Sequence, residues 1–343
     1  MVKSGYVRNS LFPCALILLV LTSRGYPLTQ QRVVQRKTER VSWHDLSWKT
    51  KVYDNPAIND LAFVTSSHGW ALTHAQLFVT YDEGQSWHEL LSGHGRQFFS
   101  AFVFPRPNSG WIVGSVASRE GDAALILHSR DGGKRWHEQH ISIGQGSEAA
   151  QLEGLSGISS CTSTVMWAVG SNAILGTVNG GRTWKAKYVS TGRDHLRDVV
   201  CINAVRAIAI GENGTILYTQ DGGETWSRQD GGVTTHLRRI RRYDDSLWIV
   251  GDDGVLLQAS VNNLRWERRP QATSETLYDI YVNDGQGWII GGQGTIFHTT
   301  DNGVTWQKQL SHTSLDLVSL YFIDPQRGWV GGTELTLLRC LPL

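Results

Sequence analysis

From about residue 59 onward the chain is a succession of short apolar runs, each broken by a tight polar turn. The stretch 196–229 shows the unit: "LRDVVCI", "RAIAIG", "TILYT" and "TWSRQ" follow one another. Runs this short, rich in β-branched residues and bounded by Gly, Asn and Asp, predict strands rather than helices. Between the second and third stands "ENG", matched by "DDG" at 252–254 and "GQG" at 292–294. Such pairs accept the positive φ angles of a two-residue hairpin turn. Between the third and fourth stands the phrase "TQDGGETW" (219–226), with relatives "SRDGGKRW" (129–136) and "TTDNGVTW" (299–306). Four antiparallel strands recurring at this spacing predict propeller blades.

The tryptophans set the count. Trp87, Trp136, Trp184, Trp226, Trp266 and Trp306 close the phrases, at spacings of 49, 48, 42, 40 and 40 residues. A second series, Trp70, Trp111, Trp167, Trp248, Trp288 and Trp329, opens segments such as "GWIVG" and "LWIVG", and "AIAIG" (207–211) stands where one member is missing. Six complete units run to about residue 310, and a seventh ends one strand short at "LTLLRC". The string "SWHDL" at 42–46 resembles the outer strand "SWHEL" at 86–90, so Trp43 belongs to the strand that completes the last blade and closes the ring. The expected fold is all-β: a seven-bladed propeller of four-stranded antiparallel blades, closed by an N-terminal strand that removes the exposed sheet edges.

The phrase has the Asp-box form S/T-x-D-x-G-x-T-W and reads as scaffolding. Asp82, Asp131, Asp221 and Asp301, with Asn179 in the degenerate copy "TVNGGRTW", are placed to accept turn amides. Gly223 is placed to take a left-handed conformation. In "SVNNLRW" Asn263 stands where glycine is usual, and Asn tolerates positive φ best after glycine. Trp87, Trp136, Trp184, Trp226, Trp266 and Trp306 are expected to cover these turns.

Composition adds few constraints on partners. Among 343 residues the formal net charge is +1, so no global field recruits nucleic acid or an anionic membrane. Lys3 and Arg8 precede an apolar run from Leu11 to Leu21, then "TSRG". This reads as a secretory signal over residues 1–25, cleaved before Tyr26, with a linker over 26–40 and the propeller over 41–343. The alternative is an uncleaved anchor. Cys14 stands at the start of the apolar run, the wrong place for lipid attachment. Cys161 and Cys201 occupy matching repeat positions, where other units place Val64, Val282 and Ile323, and are read as small buried hydrophobes. A disulfide between them is open but not favoured.

Candidate chemistry lies in the loops before the innermost strands: "DHLRD" (194–198), "THLRR" (235–239) and "ETLYD" (275–279). Arg193, Arg197, Arg238, Arg239, Arg241 and Arg242 come from two consecutive units, and Arg forks suit carboxylates or phosphates. The competing reading is a solvated basic rim, partly paired to Asp194, Asp198, Asp244 or Asp245. No metal-ligand spacing, nucleophile elbow or phosphate loop appears, so no catalytic residue, metal or cofactor is assigned. Asp-boxes also occur in sialidases, so a glycoside hydrolase is the alternative class. Its arginine triad and Tyr–Glu nucleophile come with an early F/Y-R-I-P motif, which "FPRP" (104–107) matches poorly.

The signal-like start, the "GWIVG…TILYTxDGGxTW" units and the arginines on neighbouring blades together resemble the photosystem II stability/assembly factor propellers of thylakoid lumens and their bacterial relatives. The resemblance covers roughly residues 41 to 343. It implies a non-enzymatic, chaperone-like protein, exported to a periplasm or thylakoid lumen and possessing no cofactor. The implied client is a newly made membrane protein, a photosystem II reaction-centre subunit in a photosynthetic host. The family's arginine patch maps onto Arg193, Arg197, Arg238, Arg239, Arg241 and Arg242. The chain departs from the cyanobacterial pattern in lacking the lipid-attachment cysteine and in its insertions at 115–124 and 137–156. A monomer without nucleic-acid partners is expected.

Overall fold

The computed structural model describes residues 41–46, 57–119, 121–142, 152–190, 192, 194–270 and 273–342. The proposed signal segment, the linker and Arg193 lie outside them. Seven antiparallel sheets follow in chain order: blade I (58–92), II (97–138), III (155–189), IV (196–228), V (237–268), VI (277–309) and VII (317–342). Blade VII is completed by Val41–Asp45, which pairs antiparallel with Leu337–Pro342 and sets Trp43 opposite Cys340. The expected closure is thus observed. Blade III carries one unforeseen addition: Ile141–Ser142 pairs parallel with the outer strand Trp184–Val189.

Each blade is layered as the apolar runs require. The second strand, such as Ala207–Gly211 or Met166–Gly170, is buried along its whole length because neighbouring blades cover both its faces. The fourth strand is short and exposed, for example Ser227–Arg228. At the second turn, Asn213 and Gly214 have φ of 53° and 67°, as the hairpin reading requires.

The Asp-box is a closed hydrogen-bonded turn. Thr219 Oγ1 donates to Asp221 (2.9 Å) and accepts from the Gly223 amide (2.9 Å). Asp221 accepts the Thr225 amide at 3.0 Å and its hydroxyl at 2.6 Å. Asp82, Asp131 and Asp301 repeat the arrangement with Ser86, Arg135 and Thr305. The closing indoles of Trp87, Trp136 and Trp306 donate to the carbonyls of Gly84, Gly133 and Gly303.

The glycine in this turn answers to the neighbouring blade. A Cβ on Gly223 would stand 2.5 Å from the Trp167 ring of blade III, and one on Gly303 2.5 Å from Trp248 of blade V. Trp111, Trp167, Trp248 and Trp329 thus each lie against the Asp-box glycine of the next blade, Gly181, Gly223, Gly303 and Gly84. Where the series lacks its tryptophan, blade IV has Ile208. The turn of blade V then carries Leu264, four residues after Ser260 as Gly223 is four after Thr219. Leu264 packs on the blade IV–V core with Ile202 and Ile208. It also corrects the expectation for this copy: the residue at positive φ (47°) is Leu264, not Asn263, whose side chain accepts the Arg265 amide.

Cys161 and Cys201 form a disulfide, with Cα atoms 5.3 Å apart. The reading of both as unpaired hydrophobes is overturned. By strand register Cys201 matches Ser160 rather than Cys161, and this one-step offset between adjacent inner strands lets the two thiols meet across the blade boundary. Cys340 remains a buried free thiol, its pKa pushed up to about 12 by burial.

These contacts give three expected outcomes. Gly223→Ala should lower unfolding free energy by about 2–4 kcal/mol, from positive φ and collision with Trp167; denaturant titration measures it. Replacing Cys161 and Cys201 by Ser should remove about 2–4 kcal/mol, given the 40-residue separation of the bridge; an unchanged midpoint would deny the bridge any role in stability. Hydrogen bonds from the Thr225 side chain and amide hold Asp221 at about 2, below its ordinary 3.8. A depressed folded-state pKa contributes stability above pH 3.8 that is lost as pH falls toward about 2. The stability difference between wild type and Asp221→Asn should therefore shrink over that window in thermal melts.

Candidate functional site

Every inner strand enters the ring through a one-residue bulge. The residues just after the bulge are Asp60, Ala101, Gly157, Asp198, Arg239, Asp279 and Ser319, in blade order. They form the wall of the central channel. Three of the seven are carboxylates, and each braces two blades. Asp60 accepts the amides of Leu61 (3.2 Å) and of Phe102 in blade II (3.2 Å). Asp198 accepts those of Val199 (2.9 Å) and Ile240 in blade V (3.0 Å). Asp279 accepts those of Ile280 (2.9 Å) and Leu320 in blade VII (3.2 Å).

Arg239 and Arg241 supply the counter-charge. Arg241 forms a two-pronged pair with Asp279, at 2.9 and 2.7 Å. Arg239 reaches Asp279 at 3.8 Å and, across the channel, Asp60 at 4.0 Å. Burial pushes the carboxyls of Asp60 and Asp198 upward despite these arginines. At Asp279 burial acts the same way, but Arg241 and Arg239 together hold its pKa below the ordinary value. Beneath this layer lies a cavity of about 490 Å³, lined by Arg241, Tyr243, Tyr281, Tyr321 and Phe322 among others.

The candidate arginines thus separate into distinct places. Arg197 and Arg238 stand at the rim where the inner strands begin, on adjacent blades. Arg197 pairs with Glu212, and Arg238 grips Asp252 at 2.8 and 2.9 Å; both acids come from the second turn of their own blade. The Asp252 bond raises the Arg238 pKa. Arg239 and Arg241 lie inside the channel. Arg242 turns to the opposite end, where it donates to the carbonyls of Asp244 (2.9 Å) and Ile202. One patch uniting all of these is not what the geometry builds: Arg197 and Arg238 share a surface, and the others brace.

The channel carboxylates were the residues that reading for arginines passed over. Their signal is visible: "IND", "LRD" and "LYD" place Asp at one aligned position of three units. Among the described residues no group of three or more His, Cys, Asp or Glu is arranged to hold a metal ion. No described helix is long and apolar enough to cross a membrane.

Residues 35–193 and 242–341, well over half of the chain, match the family described as photosynthesis system II assembly factor YCF48. Residues 217–228 match the BNR/Asp-box repeat. The photosystem II assembly lipoprotein Ycf48 of Synechococcus sp. (strain CC9902) is 24% identical over 248 residues, covering 71% of this chain and 69% of the relative. Two solved structures share the fold. One is YCF48 bound to a D1 peptide (TM-score 0.68, 22% identity, 88% of this chain and 97% of that one). The other is YCF48 from Cyanidioschyzon merolae (0.66, 19%, 87% and 98%). A GH74 xyloglucanase from Xanthomonas campestris is also similar in fold (0.61, 13%, 85% and 52%). Fold likeness alone does not separate binder from hydrolase; by the family match the chain belongs to the photosystem II assembly factor YCF48 family.

Proposed function

We propose that this chain is a non-enzymatic, exported binding scaffold for a membrane-protein client, a photosystem II reaction-centre subunit or its precursor. The contact surface is the rim where the inner strands begin, with Arg197 and Arg238 at its centre and Arg193 beside them in sequence. Arg239, Arg241 and Arg242 support that surface by holding blades IV, V and VI in register. The observation that carries the reading is the pairing at the rim. Arg197 and Arg238 side chains are 42% and 31% exposed, and each is held by one hairpin acid. Surface pairs of this kind contribute only about 0–1 kcal/mol. An acidic client segment can therefore displace Glu212 and Asp252 at small cost and take over two prepositioned forks.

The membership in the YCF48 family and the D1 peptide of a solved relative support a client of this class. Export rests on the charged and apolar N-terminus, to a periplasm or thylakoid lumen, and the Synechococcus relative is named a lipoprotein. A hydrolase reading finds little support in the channel, because Asp60, Asp198 and Asp279 are committed to amides of neighbouring blades and withdrawn from solvent.

The test is titration of a D1 peptide into wild type and Arg197→Glu/Arg238→Glu, with thermal melts of both. We expect the double variant to bind at least about tenfold more weakly while melting within a few degrees of wild type. Equal affinity in the two proteins would refute the rim as the contact surface. No binding by wild type would refute the client.

A further inference from the structure

The opposite face of the ring, which carries the Asp-boxes, holds a second concentration of arginine. Between blades II and III a cavity of about 330 Å³ is lined by Arg106, Arg130 and Arg182. Arg106 comes from the first hairpin of blade II, Arg130 from its Asp-box and Arg182 from the Asp-box of blade III. All three are exposed. The arginines of the channel and rim each have a carboxylate partner. Among the described residues these three have none, and the cavity lining contains no Asp or Glu.

The degenerate Asp-box contributes to that neutrality. Asn179 lines the cavity at the position where the boxes of blades I, II, IV and VI carry Asp. Its Oδ1 accepts the Thr183 amide (3.1 Å), and its Nδ2 donates to the Thr183 hydroxyl (2.9 Å). The turn is preserved with the polarity of one hydrogen bond reversed, and a negative charge is absent from the cavity wall. His128 lies beneath, stacked on Trp111 at 4.1 Å and bonded to Ser109 at 3.2 Å. Burial, then Arg130 and His137, push its pKa to about 4, so it adds a neutral ring at neutral pH.

We propose that this cavity binds a phosphate-class oxyanion, free in solution or carried on a lipid headgroup. Three guanidinium forks from three separate turns can each address a different oxygen of a tetrahedral anion, whereas a carboxylate has only two oxygens to offer. The volume is at the lower end of what small-molecule sites occupy, enough for a headgroup. The site is independent of the rim surface proposed above and lies on the other side of the ring.

The experiment titrates inorganic phosphate, with acetate as control, into the intact protein at low ionic strength, followed by calorimetry. It compares wild type with Arg130→Gln/Arg182→Gln and with Asn179→Asp. The expected result is saturable binding of phosphate over acetate, weakened about tenfold or more in both variants. Asn179→Asp restores the usual Asp-box residue, so its melting temperature should equal or exceed that of wild type, which separates loss of binding from loss of fold. Sedimentation with phosphatidylglycerol against phosphatidylcholine vesicles distinguishes the sources. Retention on the anionic vesicles, lost in the same variants, assigns a headgroup; binding of free phosphate without vesicle retention assigns a soluble anion. Absence of binding in both arms, equal binding of acetate, or binding unchanged in the variants would overturn the proposal.

Discussion

The ring depends on one contact repeated at four of its blade boundaries: the second-strand indole of one blade (Trp111, Trp167, Trp248, Trp329) beneath the Asp-box glycine of the next. A buried indole removes on the order of 200 Å² from water, a gross gain of about 5 kcal/mol at ~25 cal/mol per Å². A single box hydrogen bond contributes a net ~1 kcal/mol. Packing therefore dominates the energy, and the hydrogen bonds choose the geometry that lets the ring fit. At those four boundaries a glycine turn leaves room for the indole that a Cβ would take. The exception argues the same point: with the smaller Ile208 in place of an indole, the turn of blade V accommodates Leu264, and the volume withdrawn from one blade is returned by its neighbour.

The centre of the ring is held by different means. Where the blades converge, the inner strands carry Asp60, Asp198, Asp279, Arg239 and Arg241 among apolar neighbours. A carboxylate accepting amides from two blades ties them in register, but burying it is unfavourable without a counter-ion. The arginines of blade V supply that counter-ion to blades I and VI. Removing Arg241 would leave Asp279 only the longer 3.8 Å contact with Arg239, and removing Arg239 would take from Asp60 its 4.0 Å counter-charge. The rim arginines stand in half-exposed pairs, where a partner's charge can substitute for the internal one.

Most of the architecture was legible because it is periodic. Two interleaved tryptophan series, the Gly-containing turns and the "SWHDL" string each recur at one place in the unit, and a repeat exposes its own register. What periodicity hides is contact between units. Cys161 and Cys201 looked like occupants of one repeat position, but the register sets them one step apart, and their distance depends on how closely adjacent inner strands approach. The alignment of Asn263 with glycine failed for a related reason: that turn is one residue shorter, and its left-handed residue is set by the space left where Ile208 stands in place of an indole. The arginines looked alike in sequence because their alternation along Leu237–Tyr243 was read as one cluster. A strand sends successive residues to different surroundings, and the bulge after Leu237 shifts that alternation once more.

The same reasoning separates what an arginine can do from how many there are. Arg241 and Arg106 are chemically identical, but one is fixed to Asp279 and the other lines a cavity without acids. Whether an arginine is available to a ligand depends on the charge already beside it. That charge comes from the same blade at the rim, as Asp252 does for Arg238, and from the next blade in the channel, as Asp279 does for Arg241. Asp in four boxes and Asn179 in the fifth thus alter the electrostatics of the face without altering the turn. Degeneracy within a repeat is then a means by which a symmetric scaffold acquires one distinguishable sector, and the sectors where the repeat departs from itself are where binding is to be sought.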